Sequence, residues 1–395
     1  MHVVCVHRDL HAVTRGGICT VYRQLAHALA THGHHITLIT QETPHPLPAH
    51  AVTAGGGTID VVTLPRTGYD PKALAAHSRA VTAAVNRLDP DIVECSTWEF
   101  ELLDYAQTPA RRAPVVVRGD LSAATMNAPI LAAGEQQLLD HADAVLAVSD
   151  FAAADLHAAY GVTPEVVANG VDTARYHPRP DPGPVTGGFV VTVDRTGQVT
   201  ARRPLPAAMI DDPLLAAWTA PADRPTPVRL IWVGKATTMK GWDRLEALAP
   251  RLAGRASMLV VLGHGQVHYP VTLPDHPHVR IVQDLSDDDL PALYRRADWL
   301  LSTSRWEGYG LAIAEALASG TPALLPDHLG VAPELLAAGG GATYHNYDDV
   351  LAQLARPRSG AAPSGGWLPA HMRWTINGEH TLAVYRRLLA SGRRP

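Results

Sequence analysis

The sequence predicts an α/β protein made of two doubly wound, Rossmann-like domains. Two observations carry that prediction. Short Val- and Ile-rich runs alternate with amphipathic stretches, and the alternation stops once near the middle of the 395 residues and then restarts. A parallel strand needs a crossover connection, and the crossover lays a helix on the sheet, so this rhythm implies parallel sheets covered on both faces. At 46% hydrophobic and 18% charged, the chain can bury two cores.

The elements follow in order. "HVVCVH" is a short β-rich run, "RGG" a turn, and "ICTVYRQLAHALATHG" an amphipathic helix stopped by Gly33. "HITLIT" then closes a βαβ unit. The pattern continues with "IDVVTLP", a helix over 71–87, "DIVEC", a helix near 99–107, "PVVVRG", a helix near 130–141 and "DAVLAVS". After "VVANGVD" the composition turns rich in Pro and polar residues. "VRLIWVG" restarts the series, followed by a helix over 241–253, "SMLVVLG", "HVRIVQD", a helix over 287–296, "DWLLSTS", a helix over 311–319 and "TPALLP". The expected division is a domain over 1–175, a linker over 176–227 and a second domain over 228–371. Inside the linker, "GFVVTVDRTGQVTARR" reads as a β-hairpin turning at Asp194–Gly197. It is either a surface hairpin bracing the linker or a lid on the acceptor side.

Composition removes several classes. A formal charge of −5 argues against a general nucleic-acid surface. No segment approaches the roughly eighteen apolar residues of a membrane span, and "MHVVCVHRDL" lacks a basic start and a long apolar core. The expected location is the cytoplasm and the expected partners are small molecules, with oligomeric state undetermined. Cys5, Cys19 and Cys95 have no CxxC spacing and read as packing residues. Asp287, Asp288 and Asp289 follow Ser286 and precede a helix, which reads as an N-cap with an acidic first turn rather than a metal site. The histidines at 32–35 and 264–268 are interrupted by glycine, which breaks any helix that could align them as ligands, and no metal or cofactor is expected.

One stretch stands out. The chain has only three lysines, Lys72, Lys235 and Lys240, among 33 basic Lys and Arg residues, and two of them sit in "GKATTMKG". Ligands of open α/β sheets bind at the carboxyl ends of the strands, where glycine loops let backbone amides approach phosphate. Three such loops are visible: Arg15-Gly16-Gly17, Gly234 to Gly241, and "SRWEGYGLAIAEALASG", where a helix begins near Gly310. A diphosphate there would meet Lys235 and Lys240 as charges, the amides of Gly17, and those of Gly310 and Leu311 at the positive end of a helix.

At these residues the sequence resembles glycosyltransferase family 4. "EGYGLAIAE" is similar to the E-x7-E signature of that family's retaining, nucleotide-sugar-dependent members. Three further blocks follow the family's order: "ADAVLAVSDFAAADLHAAYGVTPEVVANGVDTARYHP", "IWVGKATTMKG" and "HMRWTINGEHTLAVYRRLLA". The resemblance implies the GT-B fold, two Rossmann-like domains facing across a cleft, with the C-terminal helix at 372–395 packed back on the N-terminal, acceptor-side domain. It implies that Lys235 and Lys240 neutralise the donor diphosphate, that Glu307 lies beside the transferred sugar, and that Glu315 accepts hydrogen bonds from ribose. Gly16, Gly17, Gly308, Tyr309, Gly310, Leu311 and Leu285 would complete the donor site. The implied reaction is transfer of a hexose-type sugar from a nucleotide diphosphate sugar, a UDP-sugar, to a soluble small-molecule acceptor, with retention and without metal. Alternatives using the same pocket are an epimerase, a phosphorylase, a pseudo-glycosyltransferase or a silent nucleotide-sugar-binding protein. The chain departs from the family at Arg118-Gly119-Asp120, where many members place a histidine, so Arg118 and Asp120 become acceptor or sugar-contact candidates. Acceptor choice is expected in loops such as 41–57 and 119–130. The composition, rich in Ala, Arg, Pro and His, is that of a high-GC bacterium and suggests secondary metabolism by association.

Overall fold

A computed structural model describes residues 1–12, 16–219, 227–267, 273–286, 288–356 and 362–391. Arg15, Asp287 and the side chains at 264–268 fall outside the described residues. The chain forms two compact units: Met1–Gly170 with His371–Pro395, and Val171–Ala370.

Unit 1 begins with β1 (His2–Val6), α1 (Gly17–Thr31), β2 (His35–Gln41), β3 (His50–Val52), β4 (Thr58–Leu64) and α2 (Pro71–Leu88). It continues with β5 (Ile92–Ser96), α3 (Leu103–Ala106), β6 (Val115–Gly119), α4 (Pro129–Asp140), β7 (Ala144–Ala147), α5 (Asp150–Tyr160) and β8 (Glu165–Val166). Its sheet has the order β3-β4-β2-β1-β5-β6-β7-β8 and is parallel except for β3, which pairs antiparallel with β4. The unbroken apolar runs are explained by burial on both faces. In β1, Val3 and Cys5 join a core with α1, while Val4 and Val6 join one with α2 and α4. The α2 boundary is local chemistry: the Asp70 carboxylate accepts from the amides of Lys72 and Ala73, and Pro71 supplies a helical φ.

Unit 2 contains β9 (Phe189–Val193), β10 (Val199–Pro204), α6 (Leu205–Asp211), α7 (Pro213–Ala217), β11 (Val228–Ala236), α8 (Trp242–Leu248) and β12 (Ala256–Val267). It goes on through β13 (Val279–Gln283), α9 (Leu290–Arg296), β14 (Trp299–Leu301), α10 (Leu311–Ala318), β15 (Ala323–Pro326), α11 (Ala332–Leu335), β16 (Gly341–Tyr344) and α12 (Tyr347–Leu354). Its sheet runs β10-β9-β13-β12-β11-β14-β15-β16. The chain then returns to unit 1 as α13 (Trp374–Ala390), which packs Leu382, Val384 and Tyr385 into the core shared by β1 and α1.

The expected linker differs from what is found. Its described residues belong to unit 2, and its hairpin is an edge of the second sheet. β9 pairs antiparallel with β13, Ile281 opposite Val191 and Gln283 opposite Phe189. The turn is as read: Gly197 has φ +86°, and the Asp194 carboxylate accepts from the amides of Thr196 and Gln198. The hairpin is thus part of the second sheet rather than of a connecting linker. Among the described residues no helix is long and apolar enough to cross a membrane.

Candidate active site

In unit 2, β11 runs through Gly234 and Lys235 to Ala236, two residues further than the loop expected there. The turn at 237–241 follows. Gly241 closes it with φ +64°, and a Cβ there would lie 1.9 Å from the carbonyl oxygen of Thr303, so only glycine fits. The Thr303 hydroxyl lies 2.9 Å from the Lys240 carbonyl and 3.0 Å from that of Gly241, and the Trp232 indole donates to it at 3.0 Å. Arg305 completes the seam. Its amide donates to the Met239 carbonyl at 2.8 Å, and its guanidinium makes two 2.7 Å bonds to Asp243. The loops after β11 and β14 are therefore one structure.

That seam brings Lys240 and Glu307 together. The Lys240 ammonium donates to Glu307 Oε1 at 2.5 Å, and the Ser304 hydroxyl donates to the same oxygen at 2.8 Å. The side chains are 25% and 12% exposed, so the pair is partly desolvated yet reachable. Lys235 is exposed on the last residues of β11. Past Glu307 the chain reaches Gly310, the N-cap of α10 with φ +79° and no side-chain cap, followed by the half-buried Leu311. Glu315 is half-buried on α10 and accepts from the Tyr294 hydroxyl at 3.4 Å. Burial, and then the nearby Glu315 carboxylate, push the Tyr294 phenol well above its usual value, so it stays a donor to Glu315.

Two donor-site expectations change character. Gly308 and Tyr309 are buried, and the Tyr309 side chain is only 2% exposed, so it is a core residue and only its backbone is left for a ligand. Leu285, half-buried just after β13, packs on the base of the hairpin: a Cβ on Gly188 would lie 2.7 Å from Leu285 Cδ2. The capping expectation near it is corrected: α9 starts at Leu290 with Asp289 at its N-cap, no side-chain cap and no acidic residue in its first turn, and Ser286 lies before the helix. The Ser286 hydroxyl accepts from the amide of Asp289, whose carboxylate accepts from the amide and hydroxyl of Thr186.

In unit 1, Gly16 is the N-cap and Gly17 the first residue of α1, with no side-chain cap. Arg118 is a correction. It is 3% exposed inside the unit, its Nε donating to Glu94 Oε1 at 2.7 Å and one terminal nitrogen to the Thr381 hydroxyl of α13 at 3.0 Å. Burial alone would depress its pKa, and Glu94 overrides that and holds the guanidinium charged. It anchors α13 and is not available to a sugar. Asp120 is exposed at the carboxyl end of β6.

Sequence reasoning missed a second polar cluster, at the carboxyl ends of β1, β2 and β5. It holds Arg8, Gln41, His77, Glu99 and Glu101, all buried. Arg8 donates to Glu99 Oε2 at 3.3 Å and to Gln41 Oε1 at 3.1 Å, and His77 Nε2 lies 2.9 Å from Glu101 Oε1. Glu99 and Phe100 both have left-handed backbones, φ +64° and +40°. The available signal was a charged residue two or three positions beyond the ends of β1 and β5, in "VHRD" and "STWEFE".

Two doubly wound units, one with a lysine–glutamate pair where its inner strands end, are the architecture of a GT-B glycosyltransferase. Residues 15–175 match the family described as Glycosyltransferase Family 4, and residues 220–356 match the one described as Glycosyl transferases group 1. The chain thus carries the two GT4-type domains of a GT-B glycosyltransferase. It is 27% identical to a D-inositol 3-phosphate glycosyltransferase of Salinispora tropica, over 78% of this chain and 66% of that one. It is 26% identical to the protein of the same name from Kribbella flavida, over 94% and 90%. Among solved structures it is similar to sucrose-phosphate synthase from Thermosynechococcus elongatus, with a TM-score of 0.74 and 18% identity over 99% of this chain and 100% of that one.

Proposed function

We propose that this protein is a retaining, metal-independent glycosyltransferase that moves a hexose-type sugar from a UDP-sugar to a small hydroxylated acceptor. The observation that carries the proposal is the Lys240–Glu307 pair at the seam of the two loops. In this reading Lys240, with Lys235 and the uncapped amides at the start of α10, binds the diphosphate. The incoming phosphate competes with Glu307 for the ammonium, and the released carboxylate turns to the sugar hydroxyls and the charge growing on the ring. The bond from the anomeric carbon to the phosphate oxygen breaks as the acceptor oxygen bonds to that carbon from the same face. The acceptor proton passes to the leaving phosphate, giving a glycoside and a nucleoside diphosphate. Glu315, held by Tyr294, accepts from the ribose hydroxyls. The relatives' names make a cyclitol-like acceptor a reasonable class, and a soluble acceptor fits the small-molecule partners expected from composition.

The test is a thermal-shift series with UDP, GDP, ADP and dTDP, with and without chelator. Nucleotide at about a hundred times its dissociation constant stabilises the native state by about 2.7 kcal/mol, a shift of several degrees. UDP alone is expected to give it, undiminished by chelator. Lys240→Ala should remove it and cost transfer roughly a hundredfold to a thousandfold, whereas Glu307→Gln should lower turnover more than donor affinity. No shift with any nucleotide would overturn the donor assignment.

A further inference from the structure

We propose that Tyr69 and Glu99, joined through Arg8, form the acceptor subsite of unit 1, and that it takes a neutral, hydroxyl-rich ring compound, a sugar or cyclitol without a phosphate. The inference rests on the transferase reading above and names the substrate class on the acceptor side.

Glu99 is held in a conformation that a side chain pays to adopt. Its φ of +64° lies in the left-handed region, and the next residue, Phe100, is left-handed as well. Strain of this kind persists where surrounding structure enforces it, and it clusters at binding and catalytic sites. Here the enforcement is visible. The Phe100 ring fills the space beside Gly134 of α4, where a Cβ would lie 2.3 Å from the ring. The result presents the Glu99 carboxylate, 9% exposed, at the carboxyl end of β5, the end of a parallel sheet where ligands bind.

Arg8 fixes both members of the subsite. It is fully buried, and its guanidinium donates to Glu99, to Gln41, and to the carbonyls of Thr67 and Gly68 at 2.7 and 3.0 Å. Its Cζ also lies 4.3 Å from the centre of the Tyr69 ring. Tyr69 is nonetheless 56% exposed. An exposed aromatic ring is ordinarily mobile, but this one is pinned. Arg8 stacks on the ring, while the hydroxyl accepts from Arg66 at 2.7 Å and donates to Asp9 at 3.0 Å. A rigid, exposed aromatic ring and an acceptor-only carboxylate held by the same guanidinium offer dispersion contact to the C–H face of a sugar ring and a partner for its hydroxyls.

The same groups set the charge of the ligand. A carboxylate accepts from O–H and repels phosphate, and Arg8, the cation bonded to it, also faces Gln41, the carbonyl and hydroxyl of Thr67 and the Gly68 carbonyl. Arg66 is likewise held by Asp9, at 2.5 Å. A phosphate ester entering here would face Glu99 and Asp9 without a free counter-charge from either arginine.

The full-length protein would be assayed for nucleotide release from a UDP-sugar with glucose, sucrose and myo-inositol, against glucose 6-phosphate and inositol 3-phosphate. A neutral compound is expected to be used in preference to the phosphate esters. Glu99→Gln and Tyr69→Ala should raise its KM by roughly tenfold to a hundredfold. Glu99→Gly, which keeps the left-handed backbone and removes the carboxylate, should do the same, so misfolding of one variant does not obscure the result. The UDP-induced thermal shift should be unchanged in all three. Preference for a phosphate ester, a wild-type KM in Glu99→Gln and Glu99→Gly, or turnover of none of the five compounds while UDP still stabilises the protein would each overturn the subsite. Loss of the UDP shift in the wild type would instead overturn the donor reading, and this proposal with it.

Discussion

Arg8 can only donate hydrogen bonds, and that decides where the proton sits on a histidine two contacts away. Because Arg8 faces Gln41 Oε1, the amide nitrogen of Gln41 must face His77 Nδ1, which it does at 2.8 Å. His77 Nδ1 is thus an acceptor, and the proton on Nε2 is donated to Glu101 at 2.9 Å. Glu101 also accepts the Arg8 amide at 2.7 Å. Burial alone would raise the Glu101 pKa, but His7, 3.5 Å away, and the hydrogen bond from His77 override it and bring it from 4.5 down to about 2. A carboxyl depressed in the folded state adds stability that is present above its unfolded value and is lost as pH falls through the folded one. Glu101 therefore contributes fully above about pH 5, and its contribution fades between 4.5 and 2. Urea unfolding of wild type and Glu101→Gln should differ by up to about 3 kcal/mol at pH 7, and the gap should narrow steadily from pH 4.5 downward. A gap independent of pH would mean that Glu101 titrates alike in the native and unfolded states.

At the scale of elements, the turn between β11 and α8 shows how a short segment places a functional side chain. Lys240 is aimed by its neighbour: Gly241 turns left-handed and lies against the Thr303 carbonyl. Gly241→Ala should cost upwards of about 2 kcal/mol, from the strain of a left-handed alanine and the displaced strand, and should also abolish the UDP shift, because Lys240 moves with the turn. Calorimetry with and without UDP reads both effects; a variant that keeps the shift would show that the turn tolerates a side chain. The same turn shows what sequence can reveal. Two lysines beside glycines stood out because this chain otherwise writes arginine, and the structure sets Lys240 on Glu307. α2 was legible to within one residue, since Asp70 and Pro71 announce it. α6 and α7 were not, because proline-rich composition reads as linker although Asp212 and Pro213 make a helix start of the same kind as that of α2. The partners of Arg118 lie 24 and 263 residues away, so nothing local distinguishes it from a ligand-binding arginine. The Arg8 cluster failed for the same reason: its contacts cross 24 to 93 residues.

At the scale of the molecule, unit 1 is completed by the end of the chain. α13 reaches it through contacts that span 209 to 291 residues. Asn377 donates to the Ala168 carbonyl, Arg118 to Thr381, and the Tyr385 hydroxyl to Glu94 at 2.6 Å. The crossing is close: a Cβ on Gly170 would lie 2.1 Å from the Trp374 nitrogen. Glu94 and Arg118 are both fully enclosed, so the pair itself adds little net stability against the cost of desolvating two charges, but leaving one of them alone is expensive. Arg118→Met should therefore cost about 3–5 kcal/mol, whereas Arg118→Met with Glu94→Leu should recover most of that. Because the guanidinium ties β6 to α13, the single variant should speed amide exchange in α13, β5 and β6 and leave β11 to β16 at wild-type rates. Hydrogen exchange read segment by segment separates the outcomes. Exchange confined to unit 1 means that the buried pair bolts the last helix onto the first sheet. Unchanged exchange in α13 would mean that Leu382, Val384 and Tyr385 hold the helix by apolar packing alone, and that Arg118 serves only to neutralise Glu94.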